Sequence, residues 1–101
     1  MSRFDVYRGR NLQGILLLQL QSDFHDTLAT RVVAPLQLES KAKSEKMQQL
    51  HPVFLIDGKK YMLMTTDLAA IPVSQLGTKV ASLKKDHHRI VAAIDFLLEG
   101  F

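Results

Sequence analysis

The chain has no cysteine and no tryptophan, and of its 101 residues only three are proline and five glycine. Without cysteine there is neither a disulfide frame nor a thiolate metal site, which suits a reducing, cytoplasmic setting. Apolar runs such as Ile15-Leu16-Leu17-Leu18 fall far short of the ~20 residues needed to span a bilayer, so no membrane partner is expected. Met1-Ser2-Arg3-Phe4-Asp5 leads straight into a strand pattern, with no signal-peptide character. The net charge of +3 is mild, and no basic run or arginine-rich stripe marks a surface for direct nucleic-acid reading. Repeats and low-complexity tracts are also missing.

What remains is an ordinary globular composition, 47% hydrophobic and 23% charged, expected to form one domain over 1–101. Phe4 and Val6 alternate with Arg3, Asp5 and Tyr7, the period-two signature of a half-buried strand. A glycine-bounded loop spans Gly9 to Gly14, and Ile15 to Gln21 reads as a central strand. Ser22 to Thr27 predicts a turn whose small polar side chains bond nearby backbone. Arg31 to Leu36 is a further strand, which Pro35 places at an edge or a bulge. From Glu39 to Gln49 the chain is charged, with Lys41, Lys43, Glu45 and Lys46. Val53–Ile56, Asp57-Gly58 and Lys59–Met64 predict a two-residue hairpin, because that turn needs positive φ. Thr65-Thr66-Asp67 follows as a turn or cap, and Ile71-Pro72-Val73 as a short extended piece ending near Gly77.

From about Leu83 the apolar period becomes 3.6. Leu83, His87, Ile90, Val91, Ile94, Leu97 and Leu98 share one helical face, and Lys85, Arg89, Ala92 and Phe96 lie opposite. Phe96 is either an ordinary exposed apolar residue or part of a second strip, with Ala92 and Ala93, packing on another sheet or a sister subunit. The pattern predicts an α+β fold: an antiparallel sheet of about five strands backed by one C-terminal helix. Gly100 can stop that helix, and Phe101 ends the chain on an aromatic ring that must either tuck into the core or be presented.

Three local constellations carry little chemistry. Asp86, His87 and His88 hint at a metal, but adjacent helical side chains diverge by about 100°, so His87 is expected at the core edge with a hydrogen-bond partner. Ser22, Asp23 and His25 are close in sequence, yet no nucleophile elbow or oxyanion-hole motif accompanies them. Met62 and Met64 alternate along a strand as packing residues. No metal, cofactor or enzymatic activity is expected.

The residues then suggest a family. Phe4-Asp5-Val6-Tyr7, Gln21-Ser22-Asp23, Asp26-Thr27, Arg31-Val32-Val33-Ala34-Pro35-Leu36, Met64-Thr65-Thr66-Asp67-Leu68-Ala69, Pro72-Val73, Ala93-Ile94-Asp95-Phe96-Leu97 and Gly100 stand in the order and spacing of CcdB. The chain resembles that family along its whole length. CcdB proteins are toxins of plasmid and chromosomal toxin–antitoxin pairs, serving plasmid maintenance by poisoning DNA gyrase. The resemblance implies an SH3-like small antiparallel barrel with a long C-terminal helix, a homodimer, and a mechanism without catalysis. The dimer would bind the A subunit of gyrase and trap the enzyme on cut DNA, until a disordered segment of a CcdA-like antitoxin wraps it and removes it.

Carried across position by position, the gyrase-binding surface would comprise Phe4, Ser22, Phe24, His25, Asp95, Glu99, Gly100 and Phe101. The family's best-known member has two isoleucines where this chain has Phe24 and His25, a tryptophan at Glu99 and an isoleucine at Phe101. Phe24 and Phe101 keep the apolar bulk of interface anchors, whereas His25 and Glu99 do not. A carboxylate at a helix C-terminus costs on the order of 0.3–1 kcal/mol. Glu99 is either tolerated in solvent or joins Asp95 and the terminal carboxylate in an acidic patch for Arg or Lys of the target. Arg8, Arg10, Lys41, Lys43 and Lys46 are weaker candidates for antitoxin contact. Two other readings stay open. One is a MazF/Kid-like ribonuclease toxin using Arg31, Arg89 and His25. The other is a non-toxic homologue that keeps dimerisation and antitoxin binding.

Overall fold

A computed structural model of the chain describes residues 2–41 and 49–100. It contains seven strands, β1 (Asp5–Gly9), β2 (Ile15–Gln19), β3 (Thr30–Leu38), β4 (Val53–Ile56), β5 (Lys59–Leu63), β6 (Ala69–Pro72) and β7 (Leu76–Ser82), followed by helix α1 (His87–Glu99). All pairings are antiparallel, in the order β4-β5-β3-β2-β1-β7 with β6 also paired to β3. The α+β class and the curled, barrel-compatible sheet agree with expectation, but the strands number seven rather than about five. The additions are β6, expected only as the short extended piece Ile71-Pro72-Val73, and β7, which pairs with β1 through register shifts at Val6/Tyr7 and Tyr7/Gly9. The residues of β7 show no clean alternation of burial, so period two could not reveal it.

Pro35 corrects the reading of β3 as an edge strand. One side of β3 pairs with β2 through Val33 to Gln37; the other is shared by β6, at Thr30–Val33, and β5, at Leu36–Leu38. Pro35 sits in the gap between β6 and β5, and its carbonyl accepts the Met64 amide at 2.8 Å on that side. The missing N–H therefore falls where neither neighbour needs a donor.

The sheet is covered on both faces, which explains the unbroken apolar run of β2. Leu16 and Leu18 join Val6, Ala34, Leu36 and Ile90 in the main core, while Leu17 joins Tyr7, Val33 and Leu76 in a smaller cluster. A strand buried on both sides reads as continuous rather than alternating. The Asp57-Gly58 hairpin forms as predicted: Ile56 pairs with Lys59, and φ is 51° at Asp57 and 76° at Gly58.

The helix begins later than Leu83, after a short 3-10 turn at Lys84–Asp86. Ile90 and Ala93 are buried, and Val91 and Ile94 pack against the main core. Burial then fades along the same stripe, and Leu98 is 71% exposed rather than in the core. Ala93 likewise belongs to the core and not to a second strip. Ala92 and Phe96 line a groove of about 630 Å³ with His51, Pro52 and Val53, where the chain enters β4. Arg89 ties the helix to this edge, donating to the Val53 carbonyl at 2.7 Å and lying 4.4 Å over the Phe54 ring. Among the described residues no helix is long and apolar enough to cross a membrane.

Candidate functional site

The best-defined candidate surface is the turn between β2 and β3. Ser22 caps a 3-10 turn at Asp23–His25 by accepting the Phe24 amide at 3.2 Å, and His25 N–H reaches the Ser22 carbonyl at 3.0 Å. Phe24 projects from the turn with 94% of its surface exposed, and Leu28 follows at 53%. Isolated exposed apolar residues are common, but a full aromatic ring standing in solvent is not, and it invites a partner's pocket.

Side chains rather than ladders hold this turn. Asp23 accepts the Arg3 amide at 2.8 Å through Oδ1, and Arg3 Nε donates to the Leu20 carbonyl at 2.9 Å. Gln21 gives Nε2–H to the His25 carbonyl at 2.8 Å and accepts the Val32 amide at 3.1 Å through Oε1. The Arg31 guanidinium donates to the carbonyls of Asp26, Leu28 and, at 2.8 Å, Thr30. Ser22 and Asp23 are thus spent on backbone, and the trio with His25 forms no relay.

Phe4 lies beside this turn but inside the fold. It is only 7% exposed, packs in the main core, and stacks under the Arg3 guanidinium at 4.7 Å. Its φ of 73° is rare for a bulky residue and is imposed by two backbone bonds, Phe4 N–H to the Gln19 carbonyl at 2.7 Å and Leu83 N–H to the Phe4 carbonyl at 2.8 Å. Phe4 therefore joins the start of β1, the end of β2 and the approach to α1.

The other candidates sit at the helix end. Asp95, Glu99 and Gly100 are exposed. Gly100 adopts φ 82° and donates its N–H to the Phe96 carbonyl at 2.9 Å, the left-handed stop expected of it. Phe101 lies outside the described residues. Among the described residues, no hydrogen bond, ion pair or ring contact joins the helix end to the Ser22–His25 turn within one chain. The structure therefore brings Phe4, Ser22, Phe24 and His25 together around Arg3 and leaves Asp95, Glu99 and Gly100 as a second patch. Leu98, placed in the core by its helical face, is the apolar member of that patch. Its exposure follows from its place in the last turn, where the stripe has run past its cover, a distinction periodicity does not carry.

Arg8 and Arg10 are exposed, and Arg8 lines a groove of about 460 Å³ with Leu12 and Tyr61. Lys41 is exposed in a 3-10 turn at Glu39–Lys41, and Lys43 and Lys46 lie outside the described residues. His87 has the expected partner, its Nδ1 lying 2.9 Å from the Lys84 carbonyl oxygen, but it is exposed rather than at the core edge. The His87 and His88 rings do not diverge: their centroids lie 3.9 Å apart, because His87 opens the helix and its ring turns back toward Phe4. Among the described residues no group of three or more His, Cys, Asp or Glu could hold a metal ion.

On the opposite side of β1, Asp5 is buried and meets Lys79 Nζ at 3.4 Å and the Tyr7 hydroxyl at 3.4 Å. Burial, then the Asp5 carboxylate, pushes the Tyr7 phenol above its ordinary pKa, while Arg31 pulls the other way. Asp5 and Tyr7 are turned inward, and Lys79 reaches Asp5 from an exposed position on β7. Residues 3–100 match the family model described as CcdB protein, so the chain belongs to the CcdB family, and that membership supports a role as the toxin of a toxin–antitoxin pair.

Proposed function

We propose that this chain, as a homodimer, binds the A subunit of DNA gyrase and traps the enzyme while its DNA is cut, and that a CcdA-like antitoxin removes it. The observation that carries this reading is the Phe24 ring, 94% exposed on a turn fixed by four side chains, Gln21, Ser22, Asp23 and Arg31. A rigid, projecting aromatic is the kind of anchor that dominates protein–protein affinity, because little ordering entropy is lost when it docks. Leu98 and the helix stop at Gly100 supply a second exposed apolar edge, and a dimer would allow the two patches to act together.

The ribonuclease reading has less support. Arg31 is buried against three backbone carbonyls, and Arg89 is engaged by Val53, Phe54 and, at 3.8 Å, Asp86. The Arg31 fork is spent on loop carbonyls, and among the described residues no hydrogen bond or ring contact brings the half-exposed Arg89 to His25, where stabilising a cleaved phosphodiester would need a cation.

The test is to add the purified protein to gyrase and supercoiled plasmid. Accumulation of linear DNA covalently linked to gyrase, suppressed by an antitoxin peptide and lost on deleting Gly100-Phe101, is the expected result. RNA cleavage without gyrase would instead establish the nuclease. Antitoxin binding with neither activity would identify a homologue that no longer poisons.

A further inference from the structure

The segment between β2 and β3 has little backbone pairing of its own. Within 22–29 the backbone bonds are His25 N–H to Ser22, Leu28 N–H to His25 at 3.3 Å, and the Ala29 carbonyl receiving Val73 N–H at 2.8 Å. Ten exposed or half-exposed residues, 21–30, would ordinarily be the loosest part of such a fold. Here one buried cation spans them. Arg31 is 6% exposed, and its two terminal nitrogens reach the carbonyls of Asp26, Leu28 and Thr30. Among the described residues it has no carboxylate partner, so its fork is devoted to loop carbonyls. Asp26, Leu28 and Thr30 are exposed residues, while the bonds that hold their carbonyls are partly buried, so loss of the fork frees the loop at its middle and at its approach to β3.

We propose that Arg31 is a positioning residue for partner binding: it fixes the loop so that Phe24 and Leu28 are presented in one arrangement, assisted by Gln21. This rests on the reading above that the turn meets gyrase. A planar fork can bond three carbonyls in separate directions, whereas a lysine ammonium is a point donor on a flexible stem. Charge alone therefore does not replace Arg31. Preorganisation lowers the ordering entropy lost on binding, so its removal should weaken the complex without altering the contact surface.

The experiment compares the full chain with Arg31→Lys, Arg31→Gln, Gln21→Leu and Phe24→Ala. Amide hydrogen exchange, thermal unfolding and affinity for purified gyrase A subunit are measured on each. For Arg31→Lys the His25 and Leu28 amides should exchange at least about tenfold faster while β2 and β3 amides keep their protection, and gyrase A affinity should fall about tenfold. Gln21→Leu should loosen the His25 end of the loop in the same sense, and it decides the matter if neither Arg31 variant folds. Unchanged loop exchange in the folded variants overturns the proposal, as does a loosened loop with wild-type affinity. Wild-type affinity restored by lysine shows that charge, not the fork, is used. If Phe24→Ala binds gyrase A like the parent, the reading of the turn as the contact surface fails, independently of Arg31.

Discussion

Two phenylalanines on neighbouring segments should respond oppositely to truncation. Phe24 is 94% exposed, so Phe24→Ala removes almost no buried surface from the chain. Its effect on stability should stay within about 0.5 kcal/mol, a shift in Tm under about 4 °C for a domain of this size. In a complex the same ring, seated in a pocket, would account for 2 kcal/mol or more, roughly a 30-fold loss of affinity. Phe4 is 7% exposed and packed in the main core, so Phe4→Ala should cost about 3–5 kcal/mol and lower Tm by more than about 12 °C. Parallel thermal unfolding and titration against immobilised gyrase A subunit separate the two effects. A fall in Tm above about 8 °C for Phe24→Ala would show that the ring is already buried in the native assembly and unavailable as an anchor. Undiminished gyrase A affinity in that variant would refute the reasoning from the other side.

Other outcomes follow from single positions. Glu99→Trp should preserve or improve gyrase A binding, measured by the same titration, since it removes a carboxylate from a helix C-terminus; a large loss would show that the carboxylate itself pairs with the target. Gly58→Ala should cost about 1 kcal/mol in denaturant unfolding, purely from backbone, because φ is 76° and an added Cβ would meet nothing within 4 Å. The raised Tyr7 pKa means that the folded chain keeps a proton the unfolded chain has released. Stability should therefore decline as pH rises past the ordinary value of 10.0, and Tyr7→Phe should flatten that decline in unfolding midpoints taken at roughly pH 9 to 11.

The sequence was most legible where one local rule decides the outcome. Asp57-Gly58 admits few turns other than the one formed, and the 3.6-residue stripe through Ile90 and Ile94 admits only a helix. Legibility failed where burial depends on what lies opposite. Pro35 belongs in a central strand only because two short strands divide its far side, which nothing local announces. Leu98 shares the apolar stripe but stands beyond its cover, and β7 carries no alternation because neighbouring residues are unevenly shielded. The candidate surface was identified through resemblance, and Phe24 proved exposed, but its support was hidden. Arg31 reads as the start of a strand and a cation for the ribonuclease alternative until the loop carbonyls are seen to converge on it, and Phe4 reads as half-buried until its backbone is seen to bridge three elements.

If the exposed aromatic on its fixed turn carries gyrase poisoning, as proposed, its removal must lower the yield of trapped cleavage complexes. The most direct measurement is the yield of covalent gyrase–DNA cleavage complexes on supercoiled plasmid, with the wild-type chain and folded Phe24→Ala at equal concentration. Abundant linear, protein-linked DNA is expected with the wild type, and a yield reduced by at least about tenfold with the variant. Equal yields from the two, or none from the wild type, would contradict the proposal.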